Sequence, residues 1–280
     1  MDIQLRSFRQ NKLAVISAAV ILLLILLAVF APLIAPYGES DTSLTERLAG
    51  PSQAHILGTD QVGRDVLTRL LYGARVSLVI GIVPSIFALA AGAVLGLLAG
   101  YLGGAADHLI MRIADVMLSI PSLLMAMVIM FIMGSGTSAL LIALSLNGWA
   151  PVARVIRSQT LSLRELEYID AARTLGSKRR RILFGHIMPN CMPSLIVLFT
   201  LRIPSAILTE SALSFLGIGV QPPAASWGLM VNESRQFLFV DPWLCLIPCL
   251  TIMVAVLAFN FLGDGLRDVL DPYRRAQSVC

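Results

Sequence analysis

The stretch 162–190, SLRELEYIDAARTLGSKRRRILFGHIMPN, is a charged island between two long apolar segments. Its residues predict a helix, a turn and a second helix. Ser162 followed three residues later by Glu165 makes a capping box, so a helix is expected to begin there. Gly176 can take the left-handed conformation that ends it. Ser177 is then placed to cap a second helix, which Pro189 is expected to close. The run Lys178-Arg179-Arg180-Arg181 would also suit a basic loop lying on anionic lipid.

Outward from this island the chain is apolar. Of its 280 residues 57% are hydrophobic and only 14% charged, about half the charged share of a soluble domain. The segment 13–34 is apolar for 22 residues and 116–153 is uncharged for 38. A span needs about 20 residues, so these runs belong to a multi-span membrane protein. The first run outlasts the roughly 7–15 apolar residues of a secretory signal and reads as a retained span. The second is too long for one span, and Gly134-Ser135-Gly136-Thr137 divides it. The expectation is a single all-α domain over 1–280 with six spans near 13–34, 76–100, 113–133, 138–157, 191–212 and 242–263. Between them lie outer loops 35–75 and 213–241 and the inner loop 158–190. Gly92, Gly96 and Gly100, four residues apart, mark a face for close helix packing in lipid. Pro222-Pro223 and the nearby glycines argue against a straight span over 211–240, which reads as a partly re-entrant outer loop.

Fifteen of the 21 Lys and Arg fall at the termini and in the loops on their side, against five in the opposite loops. Positive residues stay in the cytoplasm, so both termini and the 158–190 loop are placed there. The formal charge of +4 is spread among these loops and does not suggest nucleic acid. Cys191, Cys245, Cys249 and Cys280 form no zinc or redox pattern, and Cys245 and Cys249 share a helix face as simple packing residues.

Two ionisable residues, Arg202 and Glu210, fall within the fifth span. Burying such groups is costly unless they are paired or wet, which makes them candidates for a translocation path. The alternative for Arg202 is a structural ion pair across a subunit contact. In the first outer loop, Asp60 and Asp65 flank Gly63-Arg64. A metal site there lacks a third spaced ligand, and a phosphate site lacks the Lys that follows the glycines of a P-loop. A turn into an amphipathic helix over 65–75, lying at the membrane surface, fits better. A secondary ion-coupled transporter would be expected to carry coupling carboxylates near the bilayer midplane, and here Glu210 is the only such acid, Asp115 standing at the edge of its span. An intramembrane enzyme would need clustered catalytic groups, whereas His55, His108 and His186 stand far apart.

The 162–190 stretch resembles the cytoplasmic signature loop of ABC-importer permeases. Asp170-Ala171-Ala172 stand where that family has Glu-Ala-Ala, Gly176 keeps its spacing, and Pro189 closes the motif. Asp170, His186 and Met188 depart from the family's Glu, Ile and Leu. Three further stretches carry the likeness. They are Leu57-Gly58-Thr59-Asp60-Gln61-Val62-Gly63-Arg64-Asp65, then Leu213-Ser214-Phe215-Leu216-Gly217-Ile218-Gly219 with Trp227-Gly228, and Asn260-Phe261-Leu262-Gly263-Asp264-Gly265-Leu266-Arg267-Asp268 ending at Asp271-Pro272. Together they look like the smaller permease subunit of dipeptide, oligopeptide and nickel ABC importers.

That resemblance implies a bacterial inner-membrane complex with a homologous second permease, two cytoplasmic ATPases and an extracytoplasmic substrate-binding protein. It implies that Glu167, Tyr168, Asp170, Ala171, Ala172, Arg173, Leu175, Gly176, His186 and Pro189 form the loop that couples to the ATPases. Asp60, Arg64, Asp65, Gln221 and Trp227 would lie where the binding protein docks. The chain has no Walker motif, so it is expected to be non-catalytic and to hold no cofactor. ATP and Mg would be bound by the partner ATPases. Peptide is the leading cargo, with nickel, a metallophore or glutathione as alternatives.

Overall fold

In the computed structural model, which describes residues 11–270, the elements are all helical and no named strand occurs among the described residues. Helix α1, Lys12–Val29, starts at Asn11, whose side-chain oxygen accepts the Ala14 amide at 3.2 Å. At 1.5 Å per residue its 18 residues reach about 27 Å, enough to cross the hydrocarbon. A single further turn, Ala31–Ile34, follows.

Helix α2, Val66–Leu102, is continuous for 37 residues. The separate surface helix expected over 65–75 is therefore the first three turns of the second span. Val66, Arg69, Gly73 and Ala74 are buried against the 226–234 segment. With Arg69 taken up inside the protein, nothing between Arg75 and Val76 breaks the helix.

The third span differs more. Helix α3, Gly104–Ser119, and helix α4, Ser122–Met133, meet at a 92° bend. The bend sits at Ile120-Pro121. Ile120 is extended, at φ −97 and ψ 129, as a residue before proline prefers. Residues 101–112, which part the expected second and third spans, are mostly helix. The acids of α3 face α6: Arg157 pairs with Asp107, and Arg154 reaches Asp115 at 2.7 Å.

Helices α5, Thr137–Asn147, and α6, Trp149–Leu163, are parted only by Gly148. Helix α7 is Glu167–Thr174 and α8 is Arg179–Ile182. A π-helical turn, Leu183–Ile187, leads into α9, Met188–Phe215. Helix α10, Trp227–Ser234, precedes α11, Trp243–Leu270. The last helix runs seven residues past the expected end of its span at 263. Residues 271–280, including Asp271-Pro272, and the basic residues Arg6 and Arg9 lie outside the described residues.

Among the described residues, five helical stretches are long and apolar enough to cross a membrane, and six if the bent α3–α4 pair is one span. Helix α2 is their centre. Cβ atoms placed at Gly92 and Gly96 would come within 2.6 Å of the Trp149 and Ala153 carbonyls, and one at Gly100 within 2.6 Å of Thr160. The glycine stripe is thus the face on which α6 lies, and its bare backbone meets both the backbone and the Val152, Ile156 and Thr160 side chains of α6. On another face Gly81 receives Ile203 and Ile207 of α9. Helix α11 closes the bundle against α1 and α9 through Ile252, Ala255, Ala258 and Phe259. Its Gly265 meets Ala14 near the start of α1.

Candidate functional site

The loop that opened the sequence reading has the expected turn but different helix ends. Helix α6 continues through Ser162, whose hydroxyl bonds back to the Ser158 carbonyl at 3.4 Å instead of capping a new helix. Helix α7 begins at Glu167 with no side-chain cap, and α8 starts after Lys178 rather than Ser177. The capping box fails because the preceding helix is still apolar enough to pack and has no breaker. Gly176, at φ +77, ends α7 as expected. The amides of Gly176 and Ser177 bond to the Arg173 and Ala172 carbonyls at 2.9 and 3.1 Å, the paired bonds of a Schellman turn. Pro189 does not close a helix. The chain runs through it from Arg179 to Phe215, because the π-helical turn just before it absorbs the missing amide donor.

Ile169, wholly buried, plugs α7 into a core of Ile156, Ile182, Leu183 and Ile187. Around that plug the loop is open. Glu167, Tyr168, Asp170, Ala171, Arg173, Leu175, Gly176 and Pro189 are exposed, while Ala172 and His186 are half-buried. Asp170 and Arg173 pair at 3.0 Å, and Arg173 lies 5.4 Å over the Tyr101 ring. Asn190 donates to the Tyr168 hydroxyl at 3.3 Å. Leu175 is 85% exposed, and Leu166 and Phe184 stand open on the same loop. Leu166 and Phe184 are not among the residues expected to couple. Their signal was an apolar side chain amid charges with no helical face to bury it. The result is a short helix, seated through Ile169 and tied back at Tyr168 and Arg173, that offers apolar and charged side chains outward.

The structure separates the two ionisable residues of α9. Arg202 lines a cavity of about 320 Å³ enclosed by the α3–α4 bend, the end of α5, Pro151 and α9. Its guanidinium donates to the Leu144 carbonyl at 3.1 Å and occupies the α5–α6 break, where a Cβ at Gly148 would overlap it. Its Nε has no hydrogen-bond partner. Glu210, fully buried, does not reach that cavity. Its carboxylate accepts from the Ser214 and Ser226 hydroxyls at 2.8 and 2.7 Å, and Gly228 packs against it. Ser226 in turn caps α10 through the Leu229 amide, and Ser214 accepts the Val220 amide. Glu210 thereby organises the 214–230 segment.

At the opposite end from α7, the first long loop is tied down by buried charge. Asp60 accepts from Arg64 and Arg69 at 2.6 and 2.8 Å, and Glu233 of α10 accepts from the same two arginines at 3.1 and 2.6 Å. Asp65 caps α2 through the Thr68 amide at 2.7 Å and bonds His55 at 2.9 Å. Of the five residues expected at a docking surface, Asp60, Arg64, Asp65 and Trp227 are buried and Gln221 is exposed. A charge seen in sequence looks exposed until its partner 160 residues away is known.

Residues 92–276 match the family described as binding-protein-dependent transport system inner membrane component, and residues 2–51 match the N-terminal TM domain of oligopeptide transport permease C. The chain is 43% identical over 274 residues to an oligopeptide transport system permease protein of Bacillus subtilis, covering 98% of this chain and 90% of that one. It is 46% identical to a dipeptide transport system permease protein of Alkalihalophilus pseudofirmus, with 95% and 88% covered. To a glutathione transport system permease protein of Pectobacterium atrosepticum it is 44% identical, with 95% and 89% covered. Two inward-facing crystal forms of the MetNI methionine ABC transporter share the fold, one at 18% identity with a TM-score of 0.57, covering 74% of this chain and 96% of that one, the other at 17% identity with a TM-score of 0.59, covering 73% and 97%.

Proposed function

Because the chain belongs to the family of binding-protein-dependent transport system inner membrane components, we propose that it is one permease subunit of an ATP-driven importer of short peptides. In this reading α7 and the Gly176 turn seat in a cytoplasmic ATPase, and both termini lie on that side. ATP and Mg belong to two such ATPases, while this chain is non-catalytic. A homologous second permease completes the path, and an extracytoplasmic binding protein delivers the solute to the end built from the 35–65 loop and α10. The single observation that carries the reading is the exposed helix Glu167–Thr174, closed at Gly176 by a Schellman turn and seated on the bundle through the buried Ile169. A loop merely resting on lipid needs basic side chains but no such rigid, glycine-terminated helix.

Peptide leads as cargo because the relatives named above carry oligopeptide, dipeptide and glutathione, the last itself a peptide-like carboxylate. The test is uptake of labelled dipeptide, glutathione and nickel by cells with the complete transporter and by cells lacking this subunit. Loss of dipeptide or glutathione uptake is expected. Loss of nickel uptake alone would move the cargo to a metal ion or chelate, and retention of all three would refute the peptide reading.

A further inference from the structure

Arg202 is a cation held at mid-helix without a counter-ion. At 1.5 Å per residue it lies about 20 Å from either end of α9, and among the described residues no carboxylate pairs with it. A guanidinium in such a place is costly unless something compensates it. The surroundings are built to hold it: Leu144 accepts one bond, and the bare backbone of Gly148 leaves it room. They leave its Nε unsatisfied.

The cavity it faces has the chemistry of an anion site. Ser122, Asn147, Ser205 and Thr209 line it beside Arg202, and no acidic residue does. Helix α4 begins at Ser122 on the cavity wall, so the positive end of its dipole borders the same space. Asn147 is fixed across the bend by its bond to the Ser122 carbonyl at 2.7 Å. Broken helices that meet near mid-membrane are where transporters place polar solute contacts.

Resting on the importer reading above, we propose that Arg202 receives the carboxylate of an anionic solute midway along the path. The subunit then admits peptides and other carboxylates and disfavours free divalent cations. Hydrogen bonds from a guanidinium to a carboxylate are among the strongest available.

The experiment uses the complete transporter in proteoliposomes, with an unaltered binding protein at saturation. A dipeptide and its C-terminal amide are compared, each with its affinity for the binding protein measured separately. Arg202→Gln should lower transport of the free acid by about tenfold, the size of one lost charged hydrogen bond, and change the amide by less than about twofold. Arg202→Lys should restore part of the preference. Gly148→Ala, which crowds the guanidinium without removing its charge, should weaken it too. An equal fall for acid and amide in these variants would overturn the inference and make Arg202 a structural residue. Failure of Arg202→Gln to co-purify with the other subunits, with acid preference intact in Gly148→Ala, would overturn it as well. If the unaltered transporter imported neither peptide, the importer reading itself would fall, and this inference with it.

Discussion

Arg69 shows how a single residue can carry a whole loop. It is 2% exposed and bonds both Asp60 and Glu233, joining the first outer loop to α10. Arg69→Ala would leave the buried Asp60 and the half-buried Glu233 with only Arg64 between them. Breaking a buried pair in this way costs roughly 3–5 kcal/mol. The purified complex should lose thermal stability, and a protease should cut the 35–65 loop faster than in the wild type. Unchanged cleavage would mean that the cluster is not what holds the loop. Glu210 is the counterpart on α9. Glu210→Gln keeps an acceptor for Ser214 and Ser226 and should be tolerated. Glu210→Leu strands both hydroxyls and should destabilise by about 1–3 kcal/mol per unsatisfied group, read as a lowered unfolding midpoint. From the sequence, the costly residues Arg202 and Glu210 were legible as unusual. Which one faces a cavity was not, because that depends on Ser226 and Gly148, distant in the chain.

At the scale of elements, the glycine stripe of α2 was legible because four-residue spacing defines one helix face whatever lies against it. Its partner, α6, was not. Gly96→Ala would put a methyl against the Ala153 carbonyl at 2.6 Å, with no side chain able to move aside. Overpacking of this kind costs about 1–3 kcal/mol and should appear as a lower melting temperature of the solubilised complex. The end of α7 was equally legible, since only glycine sits easily at φ +77. Proline cannot adopt that angle, and alanine there costs roughly 1–2 kcal/mol. Gly176→Pro should insert and assemble yet fail to transport, and a bulky residue at Ala172 should do the same. Normal import by either variant would dissociate this loop from coupling. The start of α7 was misread because a capping box is a local signal, and the packing of α6 overrides it. The 92° bend at Pro121 was missed for a related reason. Hydropathy counts apolar residues along a run and is blind to the direction in which they travel.

For the whole molecule, composition and uncharged runs were enough to expect a six-span helical membrane protein, because the bilayer fixes the length of each crossing. They do not say how the spans are arranged around α2 or that the ends of α1 and α11 meet. Large apolar side chains remain open on the outside, Phe131 at 92% and Ile132 at 77% exposed near the end of α4. Lipid or the second permease would cover them in the assembled importer. The apolar face of the 158–190 loop projects from the bundle and is a different matter. In the proposed machine its occupant is the ATPase, with Leu175 as the anchor. The most direct measurement is peptide uptake and ATP hydrolysis recorded together in proteoliposomes holding the complete transporter, for the wild type and for Leu175→Asp. Wild-type uptake is expected only when ATP is present. The variant should form an assembled complex whose uptake falls by about tenfold, the loss expected when a buried interface anchor worth roughly 1.4 kcal/mol is removed. Wild-type uptake without ATP, or full uptake by the variant, would contradict the importer reading.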